Sequence, residues 1–321
     1  MRINTIVASL AVVIVLPSIS IGSSLYMENF EVDPSANWTL NGGPSDEAAD
    51  FFFDYSTVGI PKATNSALAD GTRGMKLQAN LSGGIFSGMS ASPNGQSFTD
   101  VYRVKFDWWA NFNGPFPGGG SGSTNLSTFG IGTAGASAQW PGGVQDSIWF
   151  GATGDGGSSV DYRAYSPTAG TGYTPPSGVF AAGTSTTPDS RNGADPYYAS
   201  FGGNSAPAAQ TLLFPQQTGS TGAGAPAMRW HEVVIEKSGG NVTWKVNGIL
   251  LATVPAGDDS VATGNNIFFG HSDINAGSSA DVNDAALLFT LIDNVCVVPE
   301  PSSIALCLIG VLGLLVGRRR R

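Results

Sequence analysis

Apolar positions along this chain fall in short runs, many of them alternating, and its middle holds no apolar period of 3.6 residues over helical length. Runs of this kind, separated by clusters of Gly, Pro, Asn and Ser, are the pattern of antiparallel strands with one buried face. Strands are predicted at Met75–Asn80, Tyr102–Asn111, Thr128–Gly132, Asp146–Gly151, Asn266–Gly270 and Leu287–Val297. The clearest pattern is a three-strand meander from Trp230 to Val254. His231, Val233 and Ile235 share one face there, and Glu232, Val234 and Glu236 the other. Ser238-Gly239-Gly240-Asn241 turns the chain, and Val242, Trp244 and Val246 then alternate with Thr243, Lys245 and Asn247. Asn247-Gly248 predicts a type I′ hairpin, because both central residues need positive φ. In the last strand Phe289, Leu291, Asp293, Val295 and Val297 form one row. A bare carboxylate in that apolar row is costly, so a bulge, a hydrogen-bonded partner or a cation is expected at Asp293.

Two longer apolar runs lie at the ends and read as addresses. Residues 1–24 have the form of a signal peptide: Arg2, an apolar run from Ile6 to Leu16, then Ser18, Ser20, Gly22, Ser23 and Ser24. At the other end Val298-Pro299-Glu300-Pro301 precedes an apolar segment, 304–317, and the cluster Arg318 to Arg321. As a short apolar helix, Ile304 to Val316 would cover about 20 Å, less than the ~30 Å hydrocarbon core, so a permanent span is not expected. The arginines would stay on the cytoplasmic side. Motif, apolar run and Arg cluster in this order closely resemble the PEP-CTERM sorting signal of exported bacterial proteins. The resemblance implies an exosortase-type membrane protease as partner, with Pro299, Glu300 and Pro301 as the processing motif. It also implies transient membrane insertion through the C-terminal segment before processing. The destination would be the cell envelope or extracellular matrix of a Gram-negative-type bacterium. The expected division is a signal peptide at 1–24, one domain at 25–297 and the sorting signal at 298–321.

Composition narrows the classes. The 321 residues include 44 Gly and 12% charged residues, twice the usual glycine and half the usual charge, which disfavours a helix-rich enzyme. Two Cys and two His exclude a disulfide scaffold and a Cys-based zinc module. Without Arg2, Glu300 and the four terminal Arg, 10 basic and 23 acidic residues remain, a charge near −13 against −9 for the whole chain. Such an acidic surface repels phosphate backbones, so no nucleic-acid partner is expected. The stretch from Asn113 to Ala227 is rich in Gly, Ser, Thr and Pro and reads either as an interdomain linker or as long Gly-rich loops on one sandwich. Its recurring aromatics, among them Trp140, Trp149, Tyr165, Tyr197 and Tyr198, favour the loops. The run Trp230-His231-Glu232-Val233-Val234-Ile235, a turn, and Val242-Thr243-Trp244-Lys245-Val246-Asn247-Gly248 resemble concanavalin A-like or laminin-G-like jelly rolls. The start, Glu28-Asn29-Phe30-Glu31 with Trp38, and the end, Leu291-Ile292-Asp293-Asn294-Val295, resemble the first and last strands of carbohydrate-binding modules. The implied fold is all-β, an antiparallel two-sheet jelly-roll sandwich with its first and last strands adjacent.

Catalytic patterns are weak. Jelly-roll glucanases carry a Glu-x-Asp-x-x-Glu string on one strand, and none occurs here. Glu232 and Glu236 lie about 13 Å apart along a strand, too far for a retaining pair. No Gly-x-Ser-x-Gly elbow accompanies His231 or His271, and both histidines read as structural. Gly130-Ile131-Gly132-Thr133-Ala134-Gly135 matches a dinucleotide pattern, but Trp140-Pro141 follows where a phosphate-binding helix would have to start. In the resembling modules an acid of the first strand and an Asp of the last share a structural Ca²⁺, and the matching residues are Glu31 and Asp293. Sugar stacking would draw on Trp109, Trp140, Tyr197 and Tyr198. Trp108 and Trp109 should face opposite sides of a sheet, one of them into the core. The expected protein is therefore an exported, non-enzymatic β-sandwich that binds polysaccharide or acts structurally. The alternative is a secreted glycan hydrolase whose carboxylates come from separate strands.

Overall fold

The computed structural model describes residues 24–42, 46–67, 71–79, 81, 87–99, 101–118, 125–141, 143, 146–167, 189–255, 264–273 and 283–300. Most of the predicted signal peptide, Pro301, the apolar segment and the Arg cluster lie outside them. Among the described residues, no helix is long and apolar enough to cross a membrane.

Fifteen strands form among these residues: β1 (Tyr26–Glu28), β2 (Trp38–Asn41), β3 (Glu47–Asp54), β4 (Arg73–Ala79), β5 (Ser87–Pro93), β6 (Tyr102–Asn111), β7 (Asn125–Thr133), β8 (Ile148–Thr153), β9 (Tyr162–Tyr165), β10 (Asp189–Arg191), β11 (His231–Ser238), β12 (Asn241–Val246), β13 (Ile249–Pro255), β14 (Asn266–Asp273) and β15 (Phe289–Pro299). The first sheet runs β13-β12-β11-β6-β15-β4-β3, with β1 also paired to β15, and the second runs β10-β9-β8-β7-β14-β5-β2. The fold is the all-β, antiparallel two-sheet sandwich expected from the alternation. The stretch after Asn113 supplies β7 to β10, so it contributes four strands to the second sheet.

Side-chain alternation explains how the sheets meet. Val104, Phe106 and Trp108 leave β6 on its sandwich face and interlock with the opposite sheet. The Phe106 ring lies 4.9 Å from Phe269 and 5.2 Å from Phe129, and Phe129 packs 5.6 Å from Trp108 and 5.7 Å from Trp244, centroid to centroid. Each is an edge-to-face or T-shaped contact, worth about 0.5–1.5 kcal/mol beyond the area it buries. Asn247 and Gly248 have φ of 49° and 79°, the left-handed pair that a type I′ turn needs.

Several strands carry no plain alternation in sequence. β5, Ser-Gly-Met-Ser-Ala-Ser-Pro, is buried throughout although its outward residues are Gly88, Ser90 and Ser92. A second layer covers it: Trp140 lies so close over Gly88 that a Cβ there would fall 2.6 Å from the indole Cγ. The Gln139 amide donates to Ser90 Oγ at 3.0 Å. Small residues are required here because the covering loop rests on the strand.

Phe129 is fully buried between the sheets. Phe129→Ala is expected to lower unfolding stability by about 3–5 kcal/mol with little change in the denaturant slope, measured by chemical unfolding.

Candidate functional site

β15 changes neighbours halfway along its length. Its first half pairs with β4, Thr290 to Leu77 and Ile292 to Met75, and its second half with β1, Val295 to Glu28 and Val297 to Tyr26. Between the halves it bulges against β6, where Asp293 faces Asp107 and the next pair is Cys296 with Lys105. Two residues of β15 thus oppose the single Phe106, and Asn294 takes a φ of 53°, a conformation that Asn tolerates better than most residues. The bulge breaks the single row expected for the last strand. Val295 and Val297 turn inward, while Asp293 and Asn294 both stay on the outer face.

That face is roofed by residues 55–67 and 71–73. The Tyr55 hydroxyl lies 3.1 Å from Asp293 Oδ2 and 3.3 Å from the Gly71 carbonyl, and it accepts from the Ala63 amide at 3.2 Å. Asp293 Oδ1 accepts from the Asn294 amide at 2.6 Å. Glu31 Oε1 accepts from the Arg73 amide at 3.0 Å, and a Cβ on Gly71 would stand 3.0 Å from that oxygen. Glycine lets the roof approach this closely. A tyrosine hydroxyl has one proton and here two acceptors. With Asp293 protonated every partner is satisfied: the acid donates to Tyr55, which donates to Gly71. Burial, reinforced by the Asp107 and Glu31 charges, pushes the Asp293 carboxyl up to about 8 against the lowering effect of its hydrogen bonds.

Asp107 lies beside it, fully buried and also raised, with burial the leading cause and the Glu232 charge adding to it. It accepts from the Asn65 amide at 3.0 Å, from Asn65 Nδ2 at 2.6 Å and from Asn294 Nδ2 at 2.8 Å. An ionised carboxylate only accepts, so both side-chain NH₂ groups must face inward. Both residues also line a cleft. That cleft, of about 440 Å³, is lined by Asn65 and Asn294 together with Glu28, Asn29, Lys105 and Cys296. Glu28 is half-buried, and burial raises its carboxyl.

The sequence-predicted residues fall in three places. Asp293 contacts Tyr55, and Glu31 lies against Gly71 and Arg73 of the same roof. Trp108 and Trp109 do face opposite sides of the sheet, but Trp109 is no platform. It is 1% exposed, packed 5.7 Å from Trp230, and its Nε1 donates to Asn111 at 3.0 Å. Tyr198 is also fully buried, stacked 4.6 Å from Tyr162. Both rings are held by packing that the strand pattern does not reveal, and neither offers a face for stacking. Trp140 is buried over Gly88, while Tyr197 is half-buried and donates its hydroxyl to Leu250 O at 2.7 Å. Neither belongs to the cleft.

Both histidines are structural, as expected. His231 Nε2 pairs with Pro226 O at 2.6 Å and its Nδ1 with Asn247 Nδ2 at 2.9 Å. His271 bonds Thr290 and Asn125. Burial lowers the two imidazoles to about 4 and about 3. Glu232 and Glu236 form outer-face ion pairs with Lys105 at 3.0 Å and Arg103 at 3.4 Å. The Gly-x-Gly-x-x-Gly string starts inside β7, so no phosphate-binding helix follows its glycines. Asp107, Asn65, Asn294 and Tyr55 were not predicted. Asp107 carries the one visible signal, an acid followed by two tryptophans in an alternating strand.

Fold and site together define an antiparallel sandwich with a buried carboxylate cluster behind an amide-lined cleft. Residues 297–321 match the PEP-CTERM protein-sorting motif, which marks an exported, exosortase-processed envelope or surface protein. No curated protein matches the chain in sequence. Among solved structures it is similar to a Bacillus subtilis protein with a galectin-like fold, at 11% identity and TM-score 0.45, over 87% of this chain and 97% of that one. It is also similar to the laminarinase catalytic domain of Thermotoga maritima, at 10% identity and TM-score 0.42, over 88% and 99%. A laminarinase from Flavobacterium sp. UMI-01 is similar at 11% identity and TM-score 0.41, over 86% and 100%. These likenesses bring no activity to this chain.

Stability should have a maximum near pH 6.5. Above it, folded Asp293 holds a proton that the unfolded chain has already released, so stability falls as pH rises to about 8, by at most about 1.4 kcal/mol per pH unit. Below pH 6.5 the two histidines are neutral in the fold and protonated when unfolded, so stability falls with falling pH. Asp293→Asn is expected to flatten the alkaline limb and to steepen the acid limb, where Asp293 otherwise opposes the two histidines, read by melting temperature between pH 5 and 8.

Proposed function

We propose that this chain is an exported, exosortase-sorted β-sandwich that binds polysaccharide at the cell envelope or in the extracellular matrix, without hydrolysing it. The observation that carries this reading is the pair Asn65 and Asn294, which buried Asp107 holds by their side-chain NH₂ groups and which both line a cleft of about 440 Å³. Anchored amides of this kind suit sugar hydroxyls. Hydrolysis needs two carboxylates at the scissile bond, and Glu28 is the one carboxylate among the described residues lining the cleft. On a glycan array the mature domain should bind one or more polysaccharides. Asn65→Ala should weaken that binding about five- to tenfold, the effect of one to two lost hydrogen bonds. Reducing-sugar assays on the bound glycans should stay flat. An array without signal overturns the reading, and released sugar turns it to a hydrolase.

A structural Ca²⁺ at Glu31 and Asp293 is part of the same proposal. Its support is the chemistry of the donors: Asp293 and the Gly71 carbonyl meet the Tyr55 hydroxyl and the Glu31 carboxylate lies against Gly71, all oxygen, as a hard cation prefers. Among the described residues no group of three or more His, Cys, Asp or Glu is placed to hold a metal, so backbone oxygens would complete the shell. Bound there, the ion would supply the charge that a proton on Asp293 otherwise supplies. The melting temperature should therefore rise with CaCl₂ over EDTA, and more at pH 8 than at pH 5. Equal melting at both pH values would remove the ion from the proposal.

A further inference from the structure

β15 does not end before the sorting motif; it runs into it. Pro299 is still paired with Tyr102 on β6, and the Glu300 amide donates to the Val101 carbonyl at 3.3 Å. On the other edge the strand is held by Val297, which pairs with Tyr26 and accepts from the Leu25 amide at 2.7 Å. The motif's one charge is also engaged. Glu300 Oε1 lies 2.7 Å from Arg103 Nε, with the glutamate side chain 13% exposed. The approach is outside hydrogen-bond geometry, so the contact is a charge pair. Arg103 is shared, since its Nη2 lies 3.4 Å from Glu236 Oε2, and Lys245 stands 3.8 Å beyond on the same carboxylate. The motif glutamate thus closes a ladder of alternating charge across β12, β11 and β6. Pro299 has no amide to donate, so among the described residues the motif meets the sheet through the Pro299–Tyr102 pairing, the long Glu300 hydrogen bond and this charge pair. A protease has to surround such a segment and pair with its backbone, which the segment's place on the sheet forbids.

We propose that the Arg103–Glu300 pair is a latch that holds the sorting motif against the folded sandwich and sets how fast the motif is released for processing. The proposal rests on the sorting-signal reading of residues 297–321. Processing then draws on the minor population in which Glu300 has left Arg103, and the folded domain regulates its own maturation. Glu236 competes with Glu300 for the same guanidinium, so the two carboxylates act against each other.

The test follows the full chain in an exosortase-bearing host by pulse-chase, reading precursor against processed form. Arg103→Ala should be processed about three- to fivefold faster than wild type, the bias that a partly exposed ion pair gives to an equilibrium. Arg103→Lys should stay near wild type. Glu236→Gln, which leaves Glu300 without its competitor, should be slower. In the purified full chain, hydrogen exchange at the Glu300 amide should quicken in Arg103→Ala, with the Trp108 amide and the melting temperature unchanged. Equal processing rates in all four proteins, or unchanged exchange at Glu300, overturn the latch. A wild-type chain that is never processed overturns the sorting-signal reading instead, and the exchange measurement then decides the latch alone.

Discussion

The last strand of this chain is a central strand. β15 pairs with β6 along most of its length and divides its other edge between β4 and β1. The first sheet therefore cannot close until residues near 290–299 reach the middle of a layer whose other strands begin at residue 26. Such a pairing carries a large loop-closure cost before any contact rewards it. The contacts that reward it are the burial of Ile292, Val295 and Val297 in the core and the hydrogen bonds of Thr290 to Ser127 and His271 of the opposite sheet. The acid cluster, the cleft and the docked motif all depend on this one strand being in place. Each lies along it: Asp293 and Asn294 at its bulge, Cys296 at the cleft, Glu300 just past its end.

Placing two aspartates opposite each other on neighbouring strands goes against the usual rule for cross-strand pairs. The fold tolerates it by treating the two acids differently. Asp107 is surrounded by amide donors and Asp293 by a tyrosine hydroxyl and its own neighbour's amide. One carboxylate organises the amides of the cleft, while the other sets the alkaline limit of stability. Ordering of the cleft and sensitivity to protonation thus share a single pair of strands.

The sandwich was legible in the sequence where a strand has one wet and one dry face. Trp230 to Val254 reads as a meander because His231, Val233 and Ile235 alternate with charged or outward residues, and β6 was delimited at both ends. β5 and β3 were not legible. Their outer faces are covered or mixed, so period two is lost in Ser-Gly-Met-Ser-Ala-Ser-Pro and in Glu-Ala-Ala-Asp-Phe-Phe-Phe-Asp. Asp293 was legible as an anomaly, a charge in an apolar row, and the bulge and Tyr55 resolve it. Trp109 and Tyr198 misled because an aromatic on an outer face or in a loop looks available until its cover is known. Asn65 gave no signal at all: it reaches Asp107 from a loop 42 residues earlier in the chain, a juxtaposition that only the folded roof creates.

Tyr26, just past the predicted leader, faces Val297 across an antiparallel ladder, and Pro299 lies two residues further on. The first and last strands therefore reach the same pole of the sandwich, about 5 Å apart. Removing β1 would uncover the edge of β15 that carries Val295 and Val297, so trimming the domain at its beginning loosens its end.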